Sequence, residues 1–455
     1  MGRQAALHRR DTAYSWYVAV VMCLCFTFSY MDRALLQLLV GPIQKSFDLN
    51  DTQLGLLQGA AFAVFYTLFG FPLARVADTR HRRNLTLVGL VVWCAATAAC
   101  GLAQNMPQLF GARICVAIGE AALAPAAVSL IADYFSPGAR TRALSIYSMG
   151  VFFGSGLALG LGGTLLKYFG RDGAGQTEPW RMVFIILGAA GLLMVPLLLS
   201  VREPARLTDD GRRSEATASL RQVLAEFARK KAALLTTVGG FATTSMAAST
   251  LASWAPTFFV RVHGWALGPT GQKLGGMTLV LSPLGAIVGA MLADALTRVG
   301  RKDGKLIVGT GSAAFCAVAS LVMAVTDQAV ALVAIGSIQF VVGFNFGLVQ
   351  ACLAELVPNR MRAIASACYI ASSNLLAATF GPLLVGVLND HVFHNPMMIG
   401  RSIAIVAPGG FAAAAFILAA GRRSYRSTLS LVAADGAAAQ PASDQPTLSR
   451  VKDPA

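Results

Sequence analysis

Charged side chains are scarce in this chain. They make up 13% of its 455 residues, whereas the hydrophobic types make up 55%, and the mean hydropathy is +0.61. Soluble globular domains carry roughly 25% charged residues. The composition therefore excludes a soluble globular protein and indicates a membrane protein that crosses the bilayer many times.

Residues that bind metals or catalyse reactions are also few. The five histidines all fall in predicted loops or tails: His8, His81, His263, His391 and His394. The eight cysteines lie mostly within hydrophobic spans and lack the spacing of metal ligands. No phosphate-binding loop or nucleophile–histidine pattern occurs in a membrane span. We therefore expect neither an enzyme nor an ATP-driven pump, and no metal or cofactor.

Long apolar segments are abundant, and twelve of them are long enough to cross a bilayer. They lie near residues 16–41, 53–77, 84–104, 108–133, 141–168, 180–201, 233–261, 273–297, 305–326, 329–356, 362–389 and 398–420. Lys and Arg are roughly four-fold more numerous in the termini and even-to-odd connections than in the other loops. This asymmetry places both termini in the cytoplasm of a protein of the plasma membrane. It also explains the net charge of +15 without nucleic-acid binding.

The chain contains an internal repeat with an offset of roughly 220 residues. Ala77-Asp78 after span two matches Ala293-Asp294 after span eight, and each is followed by basic residues. We predict a six-helix bundle at 1–201, a cytoplasmic linker at 202–232, a second bundle at 233–420 and a disordered tail at 421–455. Leu220, Val223, Leu224 and Phe227 have helical spacing, so the linker is either an amphipathic helix or a solvated connection.

Twelve spans arranged as six plus six, with acid-and-arginine loops after spans two and eight, resemble the major facilitator superfamily. Three motifs resemble its Spinster branch: Tyr30–Arg33 in span one, Arg113 with Gly119–Ala121 in span four, and Val357–Arg360 before span eleven. The resemblance implies an all-α fold of two pseudo-symmetric bundles. It also implies proton-coupled transport by alternating access, with lysophospholipid or sphingoid substrates.

Four charged residues lie well inside predicted spans of the first bundle, away from the span ends: Asp32, Arg33, Arg113 and Glu120. An ionised group in hydrocarbon costs on the order of 3 kcal/mol or more unless it is paired or wet. Asp32 and Arg113 lie at similar depths, and Glu120 is two turns from Arg113, about 10 Å along the helix. We predict Asp32 and Glu120 as proton sites, with Arg113 and Arg33 as charge partners or anion anchors. The alternative is a static clasp between helices.

The second bundle has polar and aromatic groups in place of buried charge. We predict that these line the substrate cavity together with Tyr30 of the first bundle: Trp254, Gln339, Asn345, Tyr369 and Asn374. An amphipathic solute suits a cavity with charge on one wall and apolar and polar groups on the other. The alternative is that these side chains join helices to each other.

The repeated loops are candidates for conformational gates. We predict that Asp78 contacts Arg82 and Arg83, and that Asp294 contacts Arg301, so as to hold one access state. The alternative is that these charges only set the topology.

These observations together predict a monomeric secondary carrier in which proton movement drives an amphipathic, lipid-like anionic solute. The proton is the coupling ion, and the partners are that solute and membrane lipids. Two nearer alternatives are an organic-anion or sugar-acid symporter and a multidrug exporter. A membrane receptor that binds without transport is a more distant alternative.

Overall fold

A computed structural model describes residues 11–171, 178–204, 227–357 and 361–438. Most of these residues lie in helices, and none of them lies in a strand. The first half forms α1 (Ala13–Phe47), α2 (Asp51–Gln58 and Ala60–Thr79), α3 (Arg82–Leu102), α4 (Met106–Glu120 and Leu123–Tyr134), α5 (Pro137–Arg171) and α6 (Pro179–Gly191 and Met194–Ser200). The second half forms α7 (Lys231–His263), α8 (Leu267–Arg298), α9 (Gly304–Val325), α10 (Gln328–Gly343 and Asn345–Leu356), α11 (Arg362–Asn374, Leu375–Phe380, Gly381–Val387 and Leu388–Val392) and α12 (Ile399–Ala438).

The twelve helices coincide with the twelve predicted spans. By length and composition, eleven of them qualify as membrane-crossing helices within the described residues. The exception is α7, whose 33 residues nevertheless extend about 50 Å and pack along α12. The protein is therefore an all-α integral membrane protein.

Local sequence signals fix several helix starts. Thr12 accepts a hydrogen bond from the Ser15 amide at the start of α1, and Asn50 and Gln53 form a reciprocal capping box before α2. Asn105 caps α4, and Asp327 accepts two amide hydrogen bonds at the start of α10. These caps satisfy amides that the first helical turn leaves unpaired.

The central breaks in α4 and α10 occupy equivalent positions of the two halves. In α4 the helix is interrupted immediately after Glu120, and in α10 it is interrupted at Phe344, immediately before Asn345. The internal repeat is thus visible in helix geometry as well as in the loops. In the first half the break places Glu120 at the end of a helical segment.

Glycine allows the closest helix contacts. A Cβ atom on Gly154 of α5 would lie 2.3 Å from the Thr27 carbonyl of α1. Between the two bundles, a Cβ on Gly163 of α5 would lie 2.5 Å from the Gly268 carbonyl of α8. Any larger residue at these positions would force the helices apart.

We call the side on which α1 begins and α12 ends the terminal side, and the opposite side the distal side. A distal clasp of Gln44, Asp51, Arg261 and Asn389 joins the two bundles. Arg261 donates to both carboxylate oxygens of Asp51 at 2.8 Å and to Gln44 Oε1 at 2.6 Å. Asn389 Nδ2 also donates to Asp51 at 2.8 Å, so the buried carboxylate has partners in both bundles.

The ion pairs described at the terminal side each join helices within one bundle. Arg82 at the start of α3 pairs with Asp133 at the end of α4, and its Nε lies 2.8 Å from Glu203 Oε1. In the second bundle Lys305 pairs with Glu355, whose other oxygen accepts a hydrogen bond from the Tyr425 hydroxyl at 2.6 Å. Within the described residues, the only ion pair between the bundles is therefore at the distal side.

The predicted gating pairs are not formed. Asp78 and Asp294 are both exposed, and neither makes an ion pair with a described residue. Arg82 contacts Asp133 and Glu203 instead, because the start of α3 faces the ends of α4 and α6. The side chain of Arg301 is exposed.

The predicted tail is partly helical, because α12 continues through residues 421–438. Arg422 of this extension lies 2.8 Å from Asp303 and so ties it to the start of α9. Residues 205–226, which include most of the predicted linker helix, lie outside the described residues, as do 358–360 and 439–455.

Candidate functional site

Two ion pairs lie side by side within the first bundle. In the first, Arg113 Nη1 on α4 is 2.8 Å from Asp32 Oδ2 on α1. Thr97 Oγ1 on α3 donates to the other carboxylate oxygen of Asp32 at 2.8 Å. Both oxygens of Asp32 are therefore paired, and the matching depths of Asp32 and Arg113 agree with those expected from the sequence.

The second pair joins the remaining two charges. Arg33 contacts Glu120 Oε2 through Nη2 at 2.7 Å and through Nε at 2.8 Å. Ser29 Oγ donates to the same oxygen at 2.6 Å. Glu120 thus pairs with Arg33 and not with Arg113, because two helical turns separate Arg113 from Glu120 on α4. The charge partner of Arg113 in this structure is therefore Asp32, and that of Glu120 is Arg33.

The two pairs differ in exposure. The side chains of Asp32 and Arg113 are 2% and 1% exposed, and Glu120 is 0% exposed. Arg33 retains 18% exposure. A charged side chain with some free surface can change partner at a lower cost than one that is enclosed on all sides. Arg33 is therefore the charged group of the site that can most easily move.

Three aromatic rings surround the guanidinium of Arg33. Its Cζ lies 4.8 Å from the ring centroid of Tyr30, 4.3 Å from that of Phe62 and 4.7 Å from that of Tyr66. We call Tyr30, Phe62 and Tyr66 the aromatic box. Phe62 also lies 5.8 Å from the Cζ of Arg113, so this ring is close to both arginines. The box offers a cation an attractive surface that needs no directional hydrogen bond.

Several buried polar atoms of the site have no hydrogen-bond partner among the described residues. They include Glu120 Oε1, Arg113 Nε and the Tyr147 hydroxyl of α5. Tyr147 stacks on Phe26 with ring centroids 4.4 Å apart, and Phe26 in turn packs edge-on against Tyr30 of the aromatic box at 5.0 Å. A buried polar atom without a partner is costly and often marks a place where a ligand or proton binds.

The predicted cavity residues of the second bundle differ in their surroundings. Trp254 is fully buried and donates to the Pro382 carbonyl at 2.9 Å, so in this structure it packs α7 against α11 and lines no cavity. Asn345 accepts a hydrogen bond from Ser312 at 3.1 Å. Gln339 has a buried, unpartnered oxygen among the described residues, and Tyr369 and Asn374 are half-buried on α11.

Sequence reasoning missed Ser29, Thr97, Phe62 and Tyr66. Phe62 and Tyr66 are four residues apart and therefore share one face of α2, which is a detectable pattern. Ser29 and Arg33 are likewise four residues apart and share one face of α1. Such spacing shows that two side chains lie together but not which helix they face. Within the described residues, no three His, Cys, Asp or Glu side chains are grouped so that they could hold a metal ion.

Comparison with known proteins identifies the family. The sequence profile of the Major Facilitator Superfamily matches residues 22–382, which is most of the chain. The chain belongs to the Major Facilitator Superfamily. This superfamily consists of transporters and not enzymes, so the predicted fold class, the absence of enzymatic function and a role in transport are confirmed.

Within the superfamily the chain is Spinster-like. It is 24% identical over 443 residues to Protein spinster of Drosophila melanogaster, with 91% of this chain and 70% of the relative covered. A crystal structure of a bacterial homolog to the human lysosomal transporter Spinster, inward-facing and unoccupied, superposes with a TM-score of 0.76 at 25% identity. That match covers 93% of this chain and 99% of the other.

A third relative broadens the range of functions. An MFS-type efflux pump of Mycolicibacterium smegmatis (strain ATCC 700084 / mc(2)155) is 29% identical over 406 residues. The match covers 88% of this chain and 90% of the pump. The comparisons therefore support transport, and the relatives include both Spinster proteins and an efflux pump.

Proposed function

We propose that this protein is a proton-coupled secondary transporter of an amphipathic, lipid-like anionic solute, and that Glu120 binds the coupled proton. One observation carries the choice of Glu120. Its Oε1 is buried without a hydrogen-bond partner among the described residues, whereas both oxygens of Asp32 are paired. A proton added to Glu120 fills an empty position, whereas a proton on Asp32 would displace an existing partner.

The coupling follows from the partners of Glu120. An anionic head group draws Arg33 away, since this arginine is the most exposed of the four charged groups. The carboxylate that it leaves behind lies in a low-dielectric environment, where the charged form is disfavoured. Glu120 therefore takes up a proton as the anion binds. Asp32 and Arg113 stay paired and hold α1 against α4.

Alternating access is proposed to use the contacts between the bundles. The distal clasp and the Gly163–Gly268 contact close the distal side, and the described terminal-side ion pairs do not cross between bundles. With the termini in the cytoplasm, as the Lys and Arg distribution favours, the site opens inward. The likeness to an inward-facing Spinster homolog supports this assignment. Monomers in the plasma membrane are sufficient for such a cycle.

A second candidate is export of drug-like compounds, which is supported by the relative that is named an efflux pump. The two candidate functions differ in the compound whose transport drives proton movement. A lipid-like anion should drive proton movement in the first case, and a hydrophobic drug should do so in the second.

Reconstituted vesicles with an internal pH dye test the proposal. We expect lysophosphatidylglycerol to cause a change in lumenal pH with the wild-type protein and none with Glu120→Gln. Asp48→Asn, which alters an exposed acid in the connection between α1 and α2, is the matched control and should behave as wild type. Substrate-driven pH changes that persist in Glu120→Gln would refute the role of Glu120. Binding without any flux at any pH gradient would instead favour a receptor.

A further inference from the structure

We propose that the terminal side of the second bundle carries a binding surface for anionic phospholipids of the adjacent leaflet. The surface lies where the helical extension of α12 rests on the start of α9. We call it the basic corner, and it consists of five cations beside the acid Asp303: Arg301, Lys302, Arg422, Arg423 and Arg426. It belongs to the other bundle from the charged site, so lipid binding there does not depend on how solute and proton are coupled.

The basic corner lies at the level of the lipid head groups. The helix α12 starts at Ile399 on the distal side. About 20 helical residues cross the hydrocarbon core of a bilayer, which is about 30 Å thick. The hydrocarbon therefore ends just before Arg422, and the segment from Arg422 to Arg426 occupies the next turn of the helix. This turn coincides with the layer of phosphate groups.

Contacts within the second bundle hold the basic corner in a fixed shape. Arg422 Nε lies 2.8 Å from Asp303 Oδ2, which ties the extension of α12 to the start of α9. The fully buried Tyr425 donates its hydroxyl to Glu355 at the end of α10 at 2.6 Å. One turn further, Leu429 packs against the apolar core of the second bundle. The arginines of this segment are therefore presented on a rigid helical surface.

The acid neutralises only part of the positive charge. Burial alone favours protonation of Asp303, but hydrogen bonding and attraction by Arg422 outweigh it and hold the pKa of Asp303 below its usual range. Five cations and one anion leave four positive charges. Arg426 is 52% exposed, with its Nε 3.9 Å from Asp303. Arg423 is exposed and makes no ion pair with a described residue.

An anionic phospholipid supplies the missing negative charge. Clusters of four to eight basic residues beside the end of a membrane helix attract anionic lipids. A guanidinium also fits the two free oxygens of a phosphodiester through paired hydrogen bonds. Membrane topology requires basic residues in a connection, but it does not require that they be mounted on one rigid surface. The basic corner therefore suits a head group whose phosphodiester has no compensating cation, such as that of phosphatidylglycerol.

Binding of single lipids to the full-length protein in a neutral detergent tests the proposal by native mass spectrometry. Arg423→Gln combined with Arg426→Gln leaves Arg422 to hold the fold. We expect this variant to bind dioleoylphosphatidylglycerol about tenfold more weakly than wild type, since each base near an anionic surface contributes a factor of about five. Arg75→Gln combined with Arg142→Gln is the matched control, because it removes two exposed arginines from the terminal side of the first bundle. The control should retain the wild-type affinity.

Three results would overturn the basic corner. Equal losses in the two double variants would show that the lipid responds only to the total charge of the terminal side. Equal wild-type affinity for dioleoylphosphatidylcholine would show that no anionic head group is required. Glu120→Gln should bind dioleoylphosphatidylglycerol as wild type does, and a loss in this variant would place the measured lipid in the first bundle.

Thermal unfolding in nanodiscs tests the proposal in a bilayer. Phosphatidylglycerol, added to a phosphatidylcholine bilayer, should raise the unfolding temperature of the wild type, because a ligand of the folded state stabilises it. The rise should be at least halved in the Arg423→Gln, Arg426→Gln variant. It should also shrink in about 1 M salt, where the screening length is about 3 Å. An undiminished rise in the variant would refute the proposal, as would the same rise on adding free glycerophosphate to a phosphatidylcholine bilayer.

Discussion

The two buried ion pairs should respond differently to the loss of an acid. Asp32→Asn leaves Arg113, whose side chain is 1% exposed, as a cation without a counter-charge. The asparagine retains only the hydrogen-bonding ability of an amide. Breaking a buried ion pair by removing one partner costs about 3–5 kcal/mol. We therefore expect Asp32→Asn to lower the free energy of unfolding by about that amount.

Glu120→Gln should cost less. The glutamine retains an oxygen that can accept from Ser29 and Arg33, at 2.6 and 2.8 Å in the present geometry. Arg33 also keeps the three rings of the aromatic box and 18% exposure. The loss is then close to that of one hydrogen bond to a charged group, about 1–2 kcal/mol. The structure thus places stability mainly in the Asp32 pair.

Unfolding of the purified variants by titration with sodium dodecyl sulfate measures both losses on one scale. Asp78→Asn, an exposed acid without an ion pair to a described residue, is the control and should stay within about 0.5 kcal/mol of wild type. Adding Arg113→Gln to Asp32→Asn should recover at least half of the loss, because no charge is left buried alone. Equal losses for Asp32→Asn and Glu120→Gln, or no recovery in the double variant, would refute this division between the two pairs.

Three further outcomes test other parts of the structure. Arg261→Gln removes the cation of the distal clasp and should increase the distal-open population about tenfold or more. This shift would appear as a longer distance between spin labels placed at Lys45 and His394. An unchanged distance would exclude a gating role for the distal clasp. Gly163→Val should destabilise the distal-closed state by about 1–3 kcal/mol, because the larger side chain overpacks the contact with α8. The distance between the two spin labels should increase in the same way, and transport should fall. Normal transport would contradict the requirement for close packing. Burial alone favours protonation of Glu203, but hydrogen bonds from a backbone amide and an arginine outweigh it and hold its pKa below the usual range. The stabilisation that ionised Glu203 gives the folded protein is therefore present above about pH 4.3, the pKa of glutamate in an unfolded chain. It is lost as the pH falls through the lower pKa of Glu203 in the folded state. Glu203→Gln should thus lower the free energy of unfolding by up to about 1 kcal/mol at pH 7. A difference in unfolding free energy from wild type that does not become smaller at acidic pH would refute this.

The architecture could be predicted from sequence because its signals are local. Apolar runs of bilayer length, capping residues such as Asn105 and the duplicated loops each specify a helix or its end without knowledge of its neighbours. Depth within the bilayer also follows from counting along a helix, and it predicts Asp32 opposite Arg113, in agreement with their 2.8 Å contact.

Partner choice was harder to predict, because it depends on the rotation and tilt of helices. The sequence shows Arg33 beside Asp32 but not that its side chain faces α4 and Glu120. Trp254 was expected in the cavity, yet its rotation about α7 directs it to the Pro382 carbonyl of α11. Arg82 follows Asp78 by four residues, but α2 ends between them at Thr79, and Arg82 begins α3, where it faces Asp133.

The central claim is that Glu120 takes up a proton when Arg33 is drawn to an anion. Proton uptake can be counted directly by adding lysophosphatidylglycerol to the purified full-length protein in a weakly buffered detergent solution with a pH indicator. We expect the uptake to approach one proton per bound ligand in the wild type and to be absent in Glu120→Gln. The same uptake in Glu120→Gln, at equal ligand occupancy, would contradict the claim.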